Sequence, residues 1–298
     1  MMEKTSENRP VDASTVVLLC DRPSGPYEMF MMKRVKSNDV RSEVYVFPGG
    51  LLEQVDLDPD IETFMGEFSG EDAKRLLQEP DISLVLALGL FVAAIRETFE
   101  EAGVLFARDA AGNLVDLSAA DKASRFAVYR REIYEGRLSL IELARREMLV
   151  FAPDLLVPYS HWITPEIVNR RFNARFFLAI LPSGQKPVHD NIELTDSCWM
   201  TPARALAEQK AGRILLMPPT LKTIEELGAF SDAAQLFKEA RDRKIKAVLP
   251  ETFRTADGFG LRLPGDPEYS YAEKGQGAEA KGTTRIIMEG GSWKTAKG

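Results

Sequence analysis

Residues Phe91 to Gly103 read FVAAIRETFEEAG. Set on a helical period, Leu88, Phe91, Val92, Ile95, Phe99 and Ala102 make one apolar stripe. Glu97, Glu100 and Glu101 fall on the other side, related as i, i+3 and i+4. Each like-charged pair at that spacing costs about 0.2–0.5 kcal/mol. Ala93 and Ala94 leave room for something to approach, and Gly103 stands where a helix ends on a left-handed residue. Three crowded carboxylates suit a hard cation such as Mg²⁺, which takes oxygen ligands and is shared with substrate phosphates. A solvated acidic face is the other reading of such a cluster taken alone.

Upstream, Val44-Tyr45-Val46-Phe47-Pro48-Gly49-Gly50 is a β-rich run stopped by Pro and a Gly pair, with Glu53 three residues on. Together the two stretches resemble the box of the Nudix hydrolases, G-x5-E-x7-R-E-U-x-E-E-x-G-U, where U is a bulky aliphatic residue. The second half is Arg96 to Val104, with Thr98 smaller and more polar than the pattern asks. The first half is Phe47 to Gly50 with Glu53, and Asp56 stands in the place of the first Glu. Between Asp56 and Arg96 lie 39 residues where the box has seven. A helical insertion splits the box, which is similar to the subgroup related to the peroxisomal coenzyme A diphosphatase of animals.

The resemblance implies an α+β fold. Its core is the Nudix α/β/α sandwich with a mixed sheet, here with a helical insertion and an extra C-terminal segment. It implies hydrolysis of a nucleoside diphosphate linked to another moiety, coenzyme A or an acyl-coenzyme A being the substrate closest to the subgroup. It implies Mg²⁺ or Mn²⁺ held by Glu97, Glu100, Glu101 and the Gly49 carbonyl. Arg96 would orient a carboxylate and Glu53 would sit near the metals. The box does not fix the catalytic base, and Glu193 is a candidate beside Glu100. Arg34 matches the first Arg of the subgroup motif L-L-T-x-R-S-x3-R-x3-G-x3-F-P-G-G, but Asp39 and Glu43 depart from it. The stretch Arg170 to Ile180 is similar to an R-R-F-x-x-R-F-F segment of the subgroup. Strand alternation puts Arg171, Asn173 and Arg175 on one face, which suits phosphate. Two other readings stay open: a nucleoside diphosphate sugar or dinucleotide pyrophosphatase, and a Nudix-fold binding protein without catalysis.

Composition agrees with an ordinary globular enzyme of 298 residues, 45% hydrophobic and 28% charged. The net charge of −7 and the absence of a basic run argue against a long polyanion, so no nucleic acid is expected as partner. A homodimer is left open. The N-terminus is polar and unlike a signal peptide, and the apolar run Leu84 to Ile95 is too short to span a bilayer. No membrane association is expected, and the cytoplasm is the expected compartment. The chain ends without a peroxisomal tripeptide. Cys20 and Cys198 are expected as reduced thiols. His161 and His189 are too few for a His-based metal site.

The expected organisation is a loose arm at 1–12, a Nudix domain at 13–228 with the insertion at about 57–88, and an extension at 229–298. Strands are expected at 14–20, 27–33, 43–47, 104–107, 155–163, 170–180 and 193–200. Asp58 and Ser69 are read as caps in the insertion, and Ser118, Ser139 and Thr201 open later helices. Residues 84–103 read as one helix or two joined near Gly89. A last strand is expected at 284–288, and 275–282 as a flexible run.

Overall fold

The computed structural model describes residues 9–22, 26–34, 43–190, 194–256, 258–271 and 282–298. Asp39, Glu193 and all but one residue of 275–282 lie outside these. In chain order the first strands are β1 (Val11–Cys20), β2 (Glu28–Arg34), β3 (Glu43–Val46) and β4 (Gly49–Leu51). Helices α1 (Gly70–Leu77) and α2 (Leu84–Ala102) follow, then β5 (Ala107–Arg108), α3 (Ala120–Tyr134), α4 (Leu140–Glu147) and β6 (Val150–Phe151). Next come β7 (Val157–Ile163), β8 (Phe172–Ile180), β9 (Leu194–Met200), α5 (Pro202–Lys210), β10 (Ile214–Leu215), α6 (Pro218–Leu227) and α7 (Ala233–Asp242). The chain closes with β11 (Ala247–Val248), β12 (Glu251–Thr255), β13 (Gly258–Arg262), β14 (Arg285–Glu289) and β15 (Ser292–Ala296).

A nine-stranded mixed sheet runs β10-β3-β2-β1-β8-β7-β11, with β4 added to β1 and β9 to β2. Strand β1 lies parallel to β8 and antiparallel to β2 and β4. It is apolar on both faces because both are covered. Val16 and Leu18 pack with α1 to α4, while Val17 and Leu19 pack with α5, α6 and α7. Strands β2 and β8 divide their side chains the same way, Phe30 and Phe177 to one layer and Met29 and Leu178 to the other. The result is an α/β/α sandwich.

The insertion is built from local signals. The Asp58 side chain accepts from the Asp60 N–H at 2.9 Å and opens the 3-10 helix Pro59–Phe64. Ser69 and Asp72 form a reciprocal capping box at the start of α1. Helix α2 is one unbroken helix through Gly89, where a Cβ would come 2.6 Å from the Leu57 side chain. Glycine there lets the 3-10 turn Gln54–Leu57 lie flat on α2. Gly103 ends the helix at φ +69°, its N–H bound to the Phe99 carbonyl at 2.9 Å.

Three local expectations are corrected. Only Ala107 and Arg108 of 104–108 pair as a strand, with Val150 and Phe151. The buried Gln185 amide takes both the N–H and the carbonyl of Leu105, at 2.9 and 2.8 Å, and so replaces a strand partner. Helix α3 begins after Ala119, not Ser118, because the Ser118 N–H is held by the Asp116 carboxylate at 2.7 Å. Strand β14 is not the last, since β15 pairs with it and completes a four-stranded antiparallel sheet. This sheet sends Leu261, Ile286 and Trp293 into the same apolar cluster as α5 to α7. Both thiols are free, and no described helix is long and apolar enough to cross a membrane.

Candidate active site

Arg96 is the hub. It is 4% exposed and lies against Asp56, itself 1% exposed. Arg96 Nε donates to Asp56 Oδ1 at 2.8 Å and Nη2 to Asp56 Oδ2 at 2.9 Å, a two-pronged pair. The same Nη2 donates to the Leu51 carbonyl at 2.8 Å, and Nη1 reaches Glu97 and Glu100 at 3.0 and 3.2 Å. Burial works against the guanidinium charge, but the Asp56 hydrogen bonds and the neighbouring carboxylates outweigh it and hold the group charged. The two halves of the motif, 39 residues apart, therefore meet as though contiguous. The insertion is looped out between them.

The glutamates of α2 face the Gly49-Gly50 loop. The Gly49 N–H donates to Glu101 Oε2 at 2.8 Å. A Cβ on Gly49, at φ +154°, would overlap the Ser14 carbonyl and the Thr15 backbone, so that position needs glycine, and one on Gly50 would displace the Glu97 carboxylate. Burial pushes the Glu97 carboxyl up to about 7, with Glu100 adding repulsion and Arg96 opposing. Burial pushes Glu101 up to about 8, against the Gly49 hydrogen bond. Glu100 is raised by burial as well, against Arg96. Behind the helix, Arg130 of α3 donates Nε to the Glu100 carbonyl and Nη2 to the Glu101 carbonyl, both at 2.8 Å. It satisfies carbonyls that the helix end leaves open, at the negative end of the helix dipole.

Two clefts open beside these carboxylates. One of about 220 Å³ touches Glu53, Arg96 and Glu100 together with the 3-10 turns of the insertion and the α3–α4 connection. The other, of about 140 Å³, touches Arg34, Gly49, Glu101 and Thr220. Arg34 is thus brought to the site. Arg171 and Arg175 line neither cleft. Arg171 donates to the Thr164 carbonyl at 2.9 Å. Arg175 is 3% exposed and is held by Glu79, at 2.9 and 2.7 Å, and by Asp12. The alternation that put it on one face with Asn173 is right, but that face is covered by α1 and α2. Asp56 as the partner of Arg96, Arg130 and the α3–α4 connection were not singled out in the sequence. Only Asp56 carried a signal, its place in the box.

The donor set fits a divalent cation in its chemistry. Glu97, Glu100, Glu101, Asp56 and Glu53 outnumber the cations beside them, Arg96, Arg34 and Arg130, and Asp56, Arg96 and Glu97 are buried. Among the described residues no three carboxylates already stand at cage distance. Arg96 Nη1 lies between Glu97 and Glu100, so binding asks for a side-chain shift there.

Residues 11–227 match the family model described as NUDT19 Nudix domain. The chain is 28% identical over 272 residues to a Xenopus laevis protein named acyl-coenzyme A diphosphatase NUDT19, covering 82% of this chain and 71% of that one. The protein of the same name from Gallus gallus is 29% identical, with 83% and 74% covered. A crystal structure of a Nudix hydrolase from Alicyclobacillus acidocaldarius superposes with a TM-score of 0.62 at 22% identity, over 78% of this chain and 97% of that chain. With the box closed by Arg96 and Asp56 and its carboxylates on one helix, the chain belongs to the Nudix hydrolases, in the NUDT19 Nudix domain family.

Proposed function

We propose that this Nudix hydrolase cleaves the diphosphate of coenzyme A and acyl-coenzyme A, giving 3′,5′-ADP and the 4′-phosphopantetheine or its acyl form. The observation that carries the reading is the likeness over 82% of the chain to relatives named acyl-coenzyme A diphosphatase. Mg²⁺ or Mn²⁺ would be held by Glu97, Glu100 and Glu101, with the Gly49 carbonyl as a further ligand. When bound, such an ion neutralises phosphoryl charge and lowers the pKa of bound water.

The chain's own residues have these roles. Arg96, fixed by Asp56, sets the carboxylates of Glu97 and Glu100. Glu53 and Glu100 line one cleft, which supports reading them as acceptors of the attacking water's proton. Exposed Arg34 faces the anionic half of the substrate from the other cleft. Glu193 stays a candidate base on sequence grounds alone.

Purified protein with Mg²⁺ or Mn²⁺ should be given coenzyme A, an acyl-coenzyme A, ADP-ribose and a dinucleoside polyphosphate, with products resolved by mass. Release of 3′,5′-ADP is expected. Ready cleavage of ADP-ribose with both coenzyme A substrates untouched would sink the substrate reading and leave the nucleoside diphosphate sugar alternative.

A further inference from the structure

The two clefts differ in chemistry, and they flank consecutive residues. Glu100 opens to the larger and Glu101 to the smaller. A diphosphate seated over the end of α2 must send its two substituents apart, one into each.

The larger cleft has an apolar floor drawn from three places in the chain. Ile61 comes from the insertion, Val92 from α2, and Ile133, Leu138 and Ile141 from the α3–α4 region. Each of the five is no more than 6% exposed. Its mouth carries acceptors, with Glu53, Asp58 and Glu142 at the rim, and its one exposed cation, Arg137, is paired with Glu135. A phosphate entering there would meet an excess of carboxylates. An uncharged chain with amide N–H groups near the mouth and an apolar end would not. The smaller cleft sets one cation, Arg34, against one carboxylate, Glu101, where the larger has five carboxylates, and Thr15, Thr220 and four apolar side chains complete its lining.

We infer that the larger cleft receives the uncharged arm of the substrate, amides at the mouth and apolar end on the floor, while the nucleotide half lies toward Arg34. The insertion inside the box thereby serves specificity, supplying one wall of the arm cleft. This rests on the proposed substrate reading.

Val55 tests it. The residue lines the cleft yet is 55% exposed, so a larger side chain there narrows the entrance without entering the core. For the Mn²⁺-loaded parent, KM should fall as the acyl chain of an acyl-coenzyme A series lengthens, by up to about fourfold per methylene buried, until the floor is covered. In Val55→Trp the series should flatten. The KM of dodecanoyl-coenzyme A relative to unacylated coenzyme A should rise at least about tenfold. A parent KM indifferent to acyl length, or a Val55→Trp variant that keeps the parent's slope, overturns the assignment. The same series run as equilibrium binding to chelator-treated protein separates the two readings. Length-dependent binding that Val55→Trp abolishes, without cleavage in the metal-loaded protein, sinks the substrate reading and keeps the cleft. Binding without length dependence sinks the cleft whatever the activity.

Discussion

Glu97 and Glu101 are acids that the fold holds in their protonated form up to about 7 and 8. The native state therefore binds more protons than the unfolded chain between the ordinary carboxylate range and those values. Their contribution to stability is lost as pH rises through about 7 and 8. A bound cation reverses this, because it replaces the protons. The rise in Tm given by millimolar Mn²⁺ should be larger at pH 8 than at pH 6, and calorimetric titration in two buffers of different ionisation heat should show proton release near pH 7. Equal Tm shifts with no released proton would count against the metal assignment. Glu97→Gln should stabilise the metal-free protein, since it removes a charge whose burial is unfavourable, while lowering kcat at least about 10²-fold, as for loss of one electrostatic stabiliser. A Glu97→Gln enzyme at the parent rate would remove Glu97 from the site. At this scale the sequence was legible where the chemistry is contiguous. Arg96, Glu97, Glu100 and Glu101 are neighbours on one helix. Arg175 was not legible, because its partners Asp12 and Glu79 are 163 and 96 residues away.

Among the elements, α2 is held at three levels. Ser83 caps its start, Asp56 grips it midway through Arg96, and Arg130 binds its last carbonyls. Breaking a buried ion pair by removing one partner leaves the other charge stranded, at about 3–5 kcal/mol. Asp56→Ala should cost that much in reversible denaturant unfolding, and a loss below about 1 kcal/mol would show that Glu97 and Glu100 suffice for Arg96. Arg130→Lys keeps a charge but not the fork that binds two carbonyls at once. Supporting residues of this kind commonly matter 10–100-fold in metal affinity. Mn²⁺ affinity in Arg130→Lys should fall by about tenfold with the far-UV spectrum unchanged, and an unaltered affinity would make Arg130 a packing residue only. The caps Asp58, Ser69 and Thr201 were readable because a cap spans at most four consecutive residues, while Ser118, read the same way, lies one residue before the N-cap position of α3. The shortness of β5 was not, since Gln185 takes the backbone of Leu105, just before it, from 80 residues away.

For the whole molecule, the C-terminal strands share their core with the sandwich. Trp293 stacks edge-on to Phe259 at 5.7 Å, and the Gln209 amide of α5 donates to the Trp293 carbonyl at 2.7 Å. Trp293→Ala should cost about 3–5 kcal/mol. Thermal unfolding followed by fluorescence and by far-UV dichroism should coincide in one transition. Two separated transitions would mean that β12 to β15 unfold on their own. This joint core was not legible beforehand, because alternating strands announce a sheet and not what it packs on. The 39 residues between Asp56 and Arg96 are looped out of the hydrolytic centre. Closing a loop grows dearer only with the logarithm of its length, so going from seven residues to 39 adds about 1.5 kcal/mol, less than the about 3–5 kcal/mol lost when one partner of the buried pair at its base is removed. Such a segment behaves as a cassette. Descendant enzymes can lengthen, trim or exchange it and so acquire new substrates while the hydrolytic centre is inherited intact, and any genome survey that demands an uninterrupted signature will pass them by.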